Sequence, residues 1–597
     1  MNKDKYITKI IDVIPLLLIL GIMPLISYGK IDILSENIFL NWNGKNAEID
    51  LFAYYKFIFT IIMTIMSILM LFIKKQKLVK DIPIYKFILI YIICIIISVI
   101  LSEYKDMAIN GFVFRYEGMI ALIVYLLLLF MSINMFDNKD KIKSIFIVLI
   151  TSSLVISIIA VFQYYNHDIF QNFNIQKSLI PKEHQYLAGK IVFSNADNAK
   201  VYSTLSNSNY LGSYFALILP IMITISILSK KYRKIFIPIS ILNLFVLVAS
   251  DSAAGFISVV ATFLILILIL RKKIMEEYKK GFLVLSCLIV VLGVFDFLSK
   301  GLIYTKTSSA LNEFIYEVNV GKEKSKLEDI KLKDNLAEIN FKGKVLNIES
   351  NNQQLFFRDE NNNLLSLKFD NQLKSWEFLE NEYKDTIIEF VRLKESGKNI
   401  IKVDVDEDIH IRLTTENDVF KYITHGGRII EPKEVKYWWG DGKEELLTSR
   451  IYIWSRALPI ILEKPLFGYG PDTFVAVFPQ YDYVGLYKAY DTTNMIVDKP
   501  HNMYIQIAQG TGIISLFAFL GITTLYIGKS FKIYTKSRNN DFYHIIGCAI
   551  LMGIIGFLIS GFFNDSVVFI SPIFYILMGI GVRINYIIES NIDKEIQ

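Results

Sequence analysis

At 597 residues, 53% of them hydrophobic and only 20% charged, the chain carries more apolar side chain than a soluble protein of ordinary domains can bury. Its mean hydropathy of +0.42 fits a polytopic membrane protein. A net charge of +6 needs no nucleic acid to explain it, because the basic residues sit where the positive-inside rule and anionic lipids place them.

Near-continuous apolar runs of roughly 17 to 22 residues, long enough to cross the hydrocarbon as helices, recur toward both ends. Twelve spans are predicted: 8–28, 52–73, 84–102, 117–136, 144–163, 209–229, 235–250, 254–270, 281–298, 503–527, 545–563 and 567–587. No small-residue cleavage site follows the first, which reads as a retained helix. Lysine and arginine cluster in alternate loops, at Lys74, Lys75 and Lys77, at Lys139, Lys141 and Lys143, at Lys230, Lys231, Arg233 and Lys234, at Arg271, Lys272 and Lys273, and at Lys529, Lys532, Lys536 and Arg538. That alternation predicts cytoplasmic termini and an extracytoplasmic loop of about 200 residues between the ninth and tenth spans. The bias toward Ile, Lys and Asn suggests an AT-rich bacterial genome, and so the bacterial cytoplasmic membrane. Cys94, Cys287 and Cys548 lie within spans, so no disulfide framework or cysteine metal site is indicated.

The predicted fold is an all-α polytopic membrane protein of about twelve helices with an inserted extracytoplasmic β-rich domain. Residues 1–303 hold spans one to nine, 304–445 the insertion, 446–502 an extracytoplasmic loop with the chemistry, and 503–597 the last three spans. In the insertion, strands are predicted at 338–348, 354–358, 364–369, 386–393, 399–405 and 408–414, with Asp359 to Asn363 as a turn. After it Ile451, Trp454, Ala457, Leu458 and Ile461 recur at helical spacing, which predicts a helix at the membrane interface. Tyr481, Tyr483, Tyr487 and Tyr490 follow. They read either as faces that stack on sugar rings or as an interfacial aromatic belt.

An outward-facing site has no access to cytoplasmic ATP or nucleotide sugars, so a reaction there draws on a group already activated in the membrane. A polyprenyl-diphosphate glycan fits, and its departing diphosphate calls for fixed positive charge, which arginine supplies with planar, bidentate donors. Arg115 lies on the outer side, where topogenic arginines are disfavoured; it reads as an anion contact or as a snorkelling arginine paired with Glu117. Arg450 reads as an anion contact ahead of a surface ion pair with Glu444 or Glu445, and Arg456 ranks below it. His501 sits at the outer edge of span ten; a histidine there suits general-base activation of a hydroxyl, or merely caps the helix with Asn502. His167, His184, His410, His425 and His544 show no metal-ligand spacing. Asp404 and Asp406 form an Asp-x-Asp within an alternating strand and read as a solvated strand face. Asp12 and Asp296, near span ends, read as reaching headgroups. No metal and no cofactor is expected.

Several segments, in their order, resemble the O-antigen ligase and Wzy-type polymerase superfamily. They are Arg115-Tyr-Glu-Gly118, Ser206-Asn-Ser-Asn-Tyr-Leu-Gly212, Arg450 with Trp454, Pro465-Leu-Phe-Gly-Tyr-Gly470 with Phe474, and His501-Asn502 with Gly512. The resemblance spans helices three to twelve and leaves out about 304–445. It implies a GT-C-like fold and metal-independent, inverting transfer of a glycan from undecaprenyl diphosphate to a glycan, lipid or protein acceptor. It further implies His501, Arg450 and Arg115 as catalytic residues, with Arg456, Asn502, Glu117, Asn209 and Lys499 binding substrate. One departure is Ser250-Asp-Ser-Ala-Ala-Gly255, which lacks the arginine the family often carries there; Lys499 or Arg428 would then supply that diphosphate contact. A second is Ser515, which ends the histidine motif where the ligases carry Gly, Thr or Tyr. Repeat-unit polymerase and protein O-oligosaccharyltransferase share this chemistry, while a polysaccharide flippase or a non-catalytic sensor are the rivals from other classes.

Overall fold

The structure, a computed structural model, describes residues 9–191, 201–276, 325–372, 374–392, 397–536 and 541–596. Its principal helices are α1 (Ile14–Gly21), α2 (Tyr54–Ile73), α3 (Ile84–Leu101), α4 (Met119–Met135), α5 (Lys139–Tyr164), α6 (Ser208–Leu228), α7 (Arg233–Ala249) and α8 (Ala253–Glu276) before the large loop. In and after it come α9 (Arg450–Glu463), α10 (Tyr483–Tyr490), α11 (Met503–Thr511), α12 (Ile513–Lys536), α13 (Phe542–Ser560) and α14 (Ser571–Ile596). Among the described residues eight helices, α2, α3, α5, α6, α8, α12, α13 and α14, are long and apolar enough to cross a membrane. These eight correspond to eight of the twelve predicted spans. The runs at 8–28 and 117–136 form shorter apolar helices, 235–250 is the 17-residue α7, and 281–298 lies outside the described residues. Cys287 and Asp296 lie there too. Asp12 does not reach toward headgroups: it is buried and accepts a hydrogen bond from Lys141, which also pairs with Asp137 at 3.0 Å.

Windows of α6, α13 and α14 are buried along most of their length, and α6 packs against α13 while α4 packs against α14. These helices form the centre of the helical body. The outward faces of α3 (Leu89, Ile93, Ile100) and α2 (Ile65, Leu69, Phe72) stay exposed and apolar, as lipid-facing surfaces require.

The predicted span 503–527 is two helices. Gly512 interrupts the run at φ +90°, and a Cβ on it would lie 2.0 Å from the Leu466 carbonyl oxygen. Here the segment 465–470 docks: the Tyr469 and Gly470 amides donate to the Gln509 and Gly510 carbonyls at 3.0 and 2.9 Å, and Ile513 N donates to Pro465 O at 2.8 Å. Gly468, at φ +66°, has the Gln509 carbonyl 2.4 Å from where its Cβ would be. Two glycine motifs separated in the chain are thus one junction, in which only glycine lets the backbones approach. Hydropathy does not register such a break.

In the loop, β1 (Lys30–Ile33) and β2 (Ala47–Asp50) pair near the N-terminal end of the chain, and the large insert supplies two antiparallel sheets. One has four strands: β3 (Leu327–Lys333), β4 (Leu336–Phe341), β5 (Lys344–Asn351) and β6 (Gln354–Arg358). The other runs as a seven-stranded meander, β7 (Leu367–Asp370), β8 (Ser375–Phe378), β9 (Thr386–Arg392), β10 (Asn399–Val405), β11 (Ile409–Glu416), β12 (Val419–Ile423) and β13 (Ile429–Ile430). The strand predicted at 338–348 is a hairpin, because Lys342 and Gly343 at φ +50° and +73° make the left-handed two-residue turn that joins strands tightly. Asp404 accepts from His410 at 2.8 Å and Asp406 pairs with Lys342 at 3.1 Å.

Both sheets share one core, with Ile339, Ile348, Val403, Ile411 and Phe420 buried, and Tyr483 and Tyr487 of α10 insert into it. Tyr481 stacks on Tyr422, ring centroids 5.3 Å apart. The tyrosine-rich stretch is therefore the plug that ties the loop to the sheets rather than a sugar-stacking face or an interfacial belt. Tyr483→Ala leaves a cavity there and is expected to cost about 3 kcal/mol, read as faster proteolytic cleavage of the loop. Thr424 donates to Leu40 O at 2.7 Å and Arg428 to Asn41 Oδ1 at 2.8 Å, so β12–β13 also clamp the loop that precedes α2.

Candidate active site

Residues from four distant segments meet at one end of the helical body. Ahead of α4 the chain makes a tight turn in which Phe114 and Tyr116 take left-handed backbone angles, φ +72° and +51°. That turn buries Arg115, 3% exposed, and aims its guanidinium at two aspartates: Nε donates to Asp472 Oδ1 at 2.8 Å and Nη1 to Asp498 Oδ2 at 2.6 Å. The pairing with Glu117 that a snorkelling arginine would show is not made. Nη2 is buried and has no hydrogen-bond partner among the described residues. Asp472 is itself held by the amides of Phe112 and Glu117 at 2.6 and 3.2 Å. Burial raises the Asp472 carboxyl above its ordinary value even with Arg115 opposing it.

The loop ahead of α11 carries the next members. Asp498 is a quarter exposed, whereas Asp472 is sealed. Burial pushes the Asp498 carboxyl up, yet Lys499, Arg115 and His501 hold it below the carboxylate range. Lys499 donates to the Tyr210 hydroxyl at 3.0 Å and lies 3.9 Å from Asp498. Its ammonium is disfavoured by burial and restored above its usual value by Asp498, Tyr210 and Asp565.

His501 takes a left-handed backbone conformation, φ +50°, uncommon for a non-glycine residue and a mark of a residue held by its surroundings. Pro500 precedes it; after it the amide of Asn502 donates to Asp565 Oδ1 at 3.3 Å and that of Met503 to Gly561 O at 2.8 Å. The ring is about one-third exposed, with Nδ1 3.5 Å from the buried Asp565 Oδ2. Burial would raise the Asp565 carboxyl; the neighbouring His501, Lys499 and Arg115 bring it below the ordinary range. A proton on Nδ1 facing Asp565 leaves Nε2 as the proton-accepting nitrogen.

Arg450 and Trp454, one turn apart on α9, frame this histidine from one helix face. Arg450 Nε donates to Phe563 O at 3.1 Å and Trp454 Nε1 to Pro500 O at 2.9 Å. Arg450 is disfavoured by burial and stabilised by the Asp565 charge. Asn502 caps α11, accepting from the amides of Tyr504 and Ile505 at 2.9 and 3.1 Å, and its amide nitrogen donates to Phe562 O. Among the described residues Asn209 meets the site through its carbonyl, 3.4 Å from Asn564 Nδ2. Glu117, in the same turn as Arg115, is sealed beneath the cluster. It accepts from Tyr125 Oη at 2.5 Å and from Ser566 Oγ at 2.7 Å, and burial pushes its carboxyl up to about 8.

Two expected contacts fall elsewhere. Arg456 pairs with Asp482 at 3.0 Å between the rings of Tyr437 and Tyr452, where it stiffens the loop. Arg428 serves the β12–β13 clamp and covers Tyr104. Lys499 thus joins the cluster and Arg428 does not. Asp472, Asp498, Asp565, Tyr210 and Ser566 were not anticipated. Asp565 alone carried a visible signal, an aspartate isolated in the short polar break between two apolar runs.

Residues 398–520 match the family model described as O-antigen ligase (Wzy_C). The match contains Arg450, Asp472, Asp498, Lys499 and His501, and it begins just ahead of β10, so it takes in part of the stretch that the sequence reading left outside the resemblance. No curated protein and no solved structure matches the chain.

Proposed function

From the match of residues 398–520 to the O-antigen ligase family model, we propose that this membrane protein transfers a glycan from undecaprenyl diphosphate to an acceptor hydroxyl on the outer face of the cytoplasmic membrane. The observation that carries the reading is Arg115: a buried guanidinium with one nitrogen unpartnered, next to Lys499 and to a carboxylate that can leave. Arg115, Lys499 and Arg450 face Asp472, Asp498 and Asp565, three cations against three carboxylates. Asp498, partly exposed, is the exchangeable anion; diphosphate oxygens replace it on Arg115 and Lys499, while Asp472 stays and keeps Arg115 oriented. The acceptor oxygen then attacks the anomeric carbon as the bond from that carbon to the diphosphate breaks. The acceptor proton passes to His501 Nε2, Asp565 steadies the imidazolium, and one displacement inverts the anomeric centre.

The test is an electrophoretic profile of surface and lipid-linked glycan from cells whose only copy carries His501→Ala, at matched protein abundance. Accumulated full-length lipid-linked glycan is the expected result. Collapse to single repeat units would make the enzyme a polymerase of the same chemistry, and an unchanged profile would return the protein to the transporter or sensor readings.

A further inference from the structure

Resting on that transfer reading, we propose that Glu117 is the positioning residue that holds the arginine half and the histidine half of the site in register. Its main chain belongs to the arginine half, since the Glu117 amide donates to the same Asp472 carboxylate that holds Arg115. Its side chain belongs to the other half. Oε2 accepts from Ser566 Oγ, next to the Asp565 that faces His501, and the Ser566 amide donates to Gln506 Oε1 at 2.7 Å on α11, the helix that starts just after His501. Ser566 Oγ also lies 2.8 Å from Ser571 Oγ at the start of α14, and Oε1 is anchored on α4 by Tyr125. One side chain, 1% exposed, therefore ties α4, α11 and the α13–α14 turn at a single point. A cavity of about 20 Å³, room for one water, lies beside it between Asp472, Gln506 and Ser566.

Among the described residues Glu117 makes no hydrogen bond or ion pair with His501 or with the Arg115 guanidinium, so its part is to orient rather than to react. Shape and hydrogen bonds matter for that part, and negative charge does not. Glutamine keeps both contacts, because the Tyr125 and Ser566 hydroxyls can donate to its oxygen or accept from its nitrogen. Alanine removes both, which takes the acceptor from the buried Tyr125 hydroxyl and leaves Ser566 Oγ with Ser571 alone.

The experiment compares pulse-labelled glycan transfer in cells whose only copy carries E117Q, E117A, S566A, Y125F or H501A, at matched protein abundance. Transfer by E117Q is expected within about three-fold of the parent, E117A at least about ten-fold down, and S566A and Y125F between them. E117Q as inactive as E117A would mean that the carboxylate itself takes part in the chemistry; E117A equal to the parent would mean that the tie does no positioning. Either result overturns the proposal. Should E117A fail to accumulate, S566A and Y125F carry the test, and parent-level transfer by both overturns it. H501A that still transfers would sink the transfer reading instead, whatever the Glu117 variants do.

Discussion

Arg115→Gln is expected to abolish glycan transfer, by about 10²- to 10³-fold, and to weaken the fold by an amount that grows from pH 5 to pH 8. The first effect follows from the guanidinium being the deepest fixed cation of the cluster, with Nη2 unpartnered. The second follows from what it leaves behind. Asp472 is 2% exposed and already raised by burial against the pull of Arg115. Removing one partner of a buried pair costs about 3–5 kcal/mol when the remaining charge stays in place. Asp472 escapes part of that penalty by taking up a proton. Its folded pKa then lies further above the unfolded value near 4. A carboxyl shifted in that direction favours folding at pH below the unfolded value, and the benefit is lost as pH climbs toward the folded one. The melting temperature of detergent-solubilised Arg115→Gln should therefore lie closer to that of the parent at pH 5 than at pH 8. A deficit independent of pH would mean that Asp472 is not the group left stranded. Arg115→Lys should recover part of the stability and little of the transfer, because an ammonium cannot reach two carboxylates and a phosphate from one plane.

Which parts of this site were legible from the chain depends on how far each argument reaches along it. Arg115, Lys499 and His501 could be picked out because each stands at the border of an apolar run, where a charged or titratable side chain is unusual. Their partners could not, since Arg115 and Asp472 are 357 residues apart and nothing local to Asp472 marks it. Arg456 shows the reverse error. It shares a helix with Arg450, two turns along, yet it faces Asp482 and two tyrosine rings, a direction that helical spacing fixes only once the neighbours are known. The spans were legible by hydropathy and the break at Gly512 was not, because a single residue with positive φ leaves mean hydropathy unchanged. The tyrosines were misread for the same reason as the aspartates: the core that Tyr483 and Tyr487 enter is built from strands that precede them by some sixty or more residues. Local pattern located the elements and the edges of the site, and the pairings that give it chemistry came only with the tertiary structure.

Asp565→Asn should be the most informative single change after Arg115, with transfer falling about 10²-fold or more while the protein still accumulates. Asparagine fills the same space and can still accept from the Asn502 amide, so the histidine loop keeps its anchor. What disappears is the negative charge opposite Nδ1, and with it the stabilisation of the imidazolium that forms when the acceptor proton arrives. If His501 and Asp565 act as one unit, the double variant His501→Ala with Asp565→Asn should be no slower than His501→Ala alone, because the second change removes a group whose only catalytic partner is already gone. Losses that multiply would assign Asp565 a separate role, for which Lys499 and Arg450, both influenced by its charge, are the available partners. Stability offers an independent reading of the same contact. The Asp565 carboxyl is held below the ordinary range, so its contribution is present above the unfolded value near 4 and is lost as pH falls through the folded one. The parent should therefore melt above Asp565→Asn at pH 7, and the two should converge as the solution is acidified below pH 4. Convergence toward alkaline pH instead would place the carboxyl on the raised side, and would remove the ion pair from the account of how His501 is kept ready.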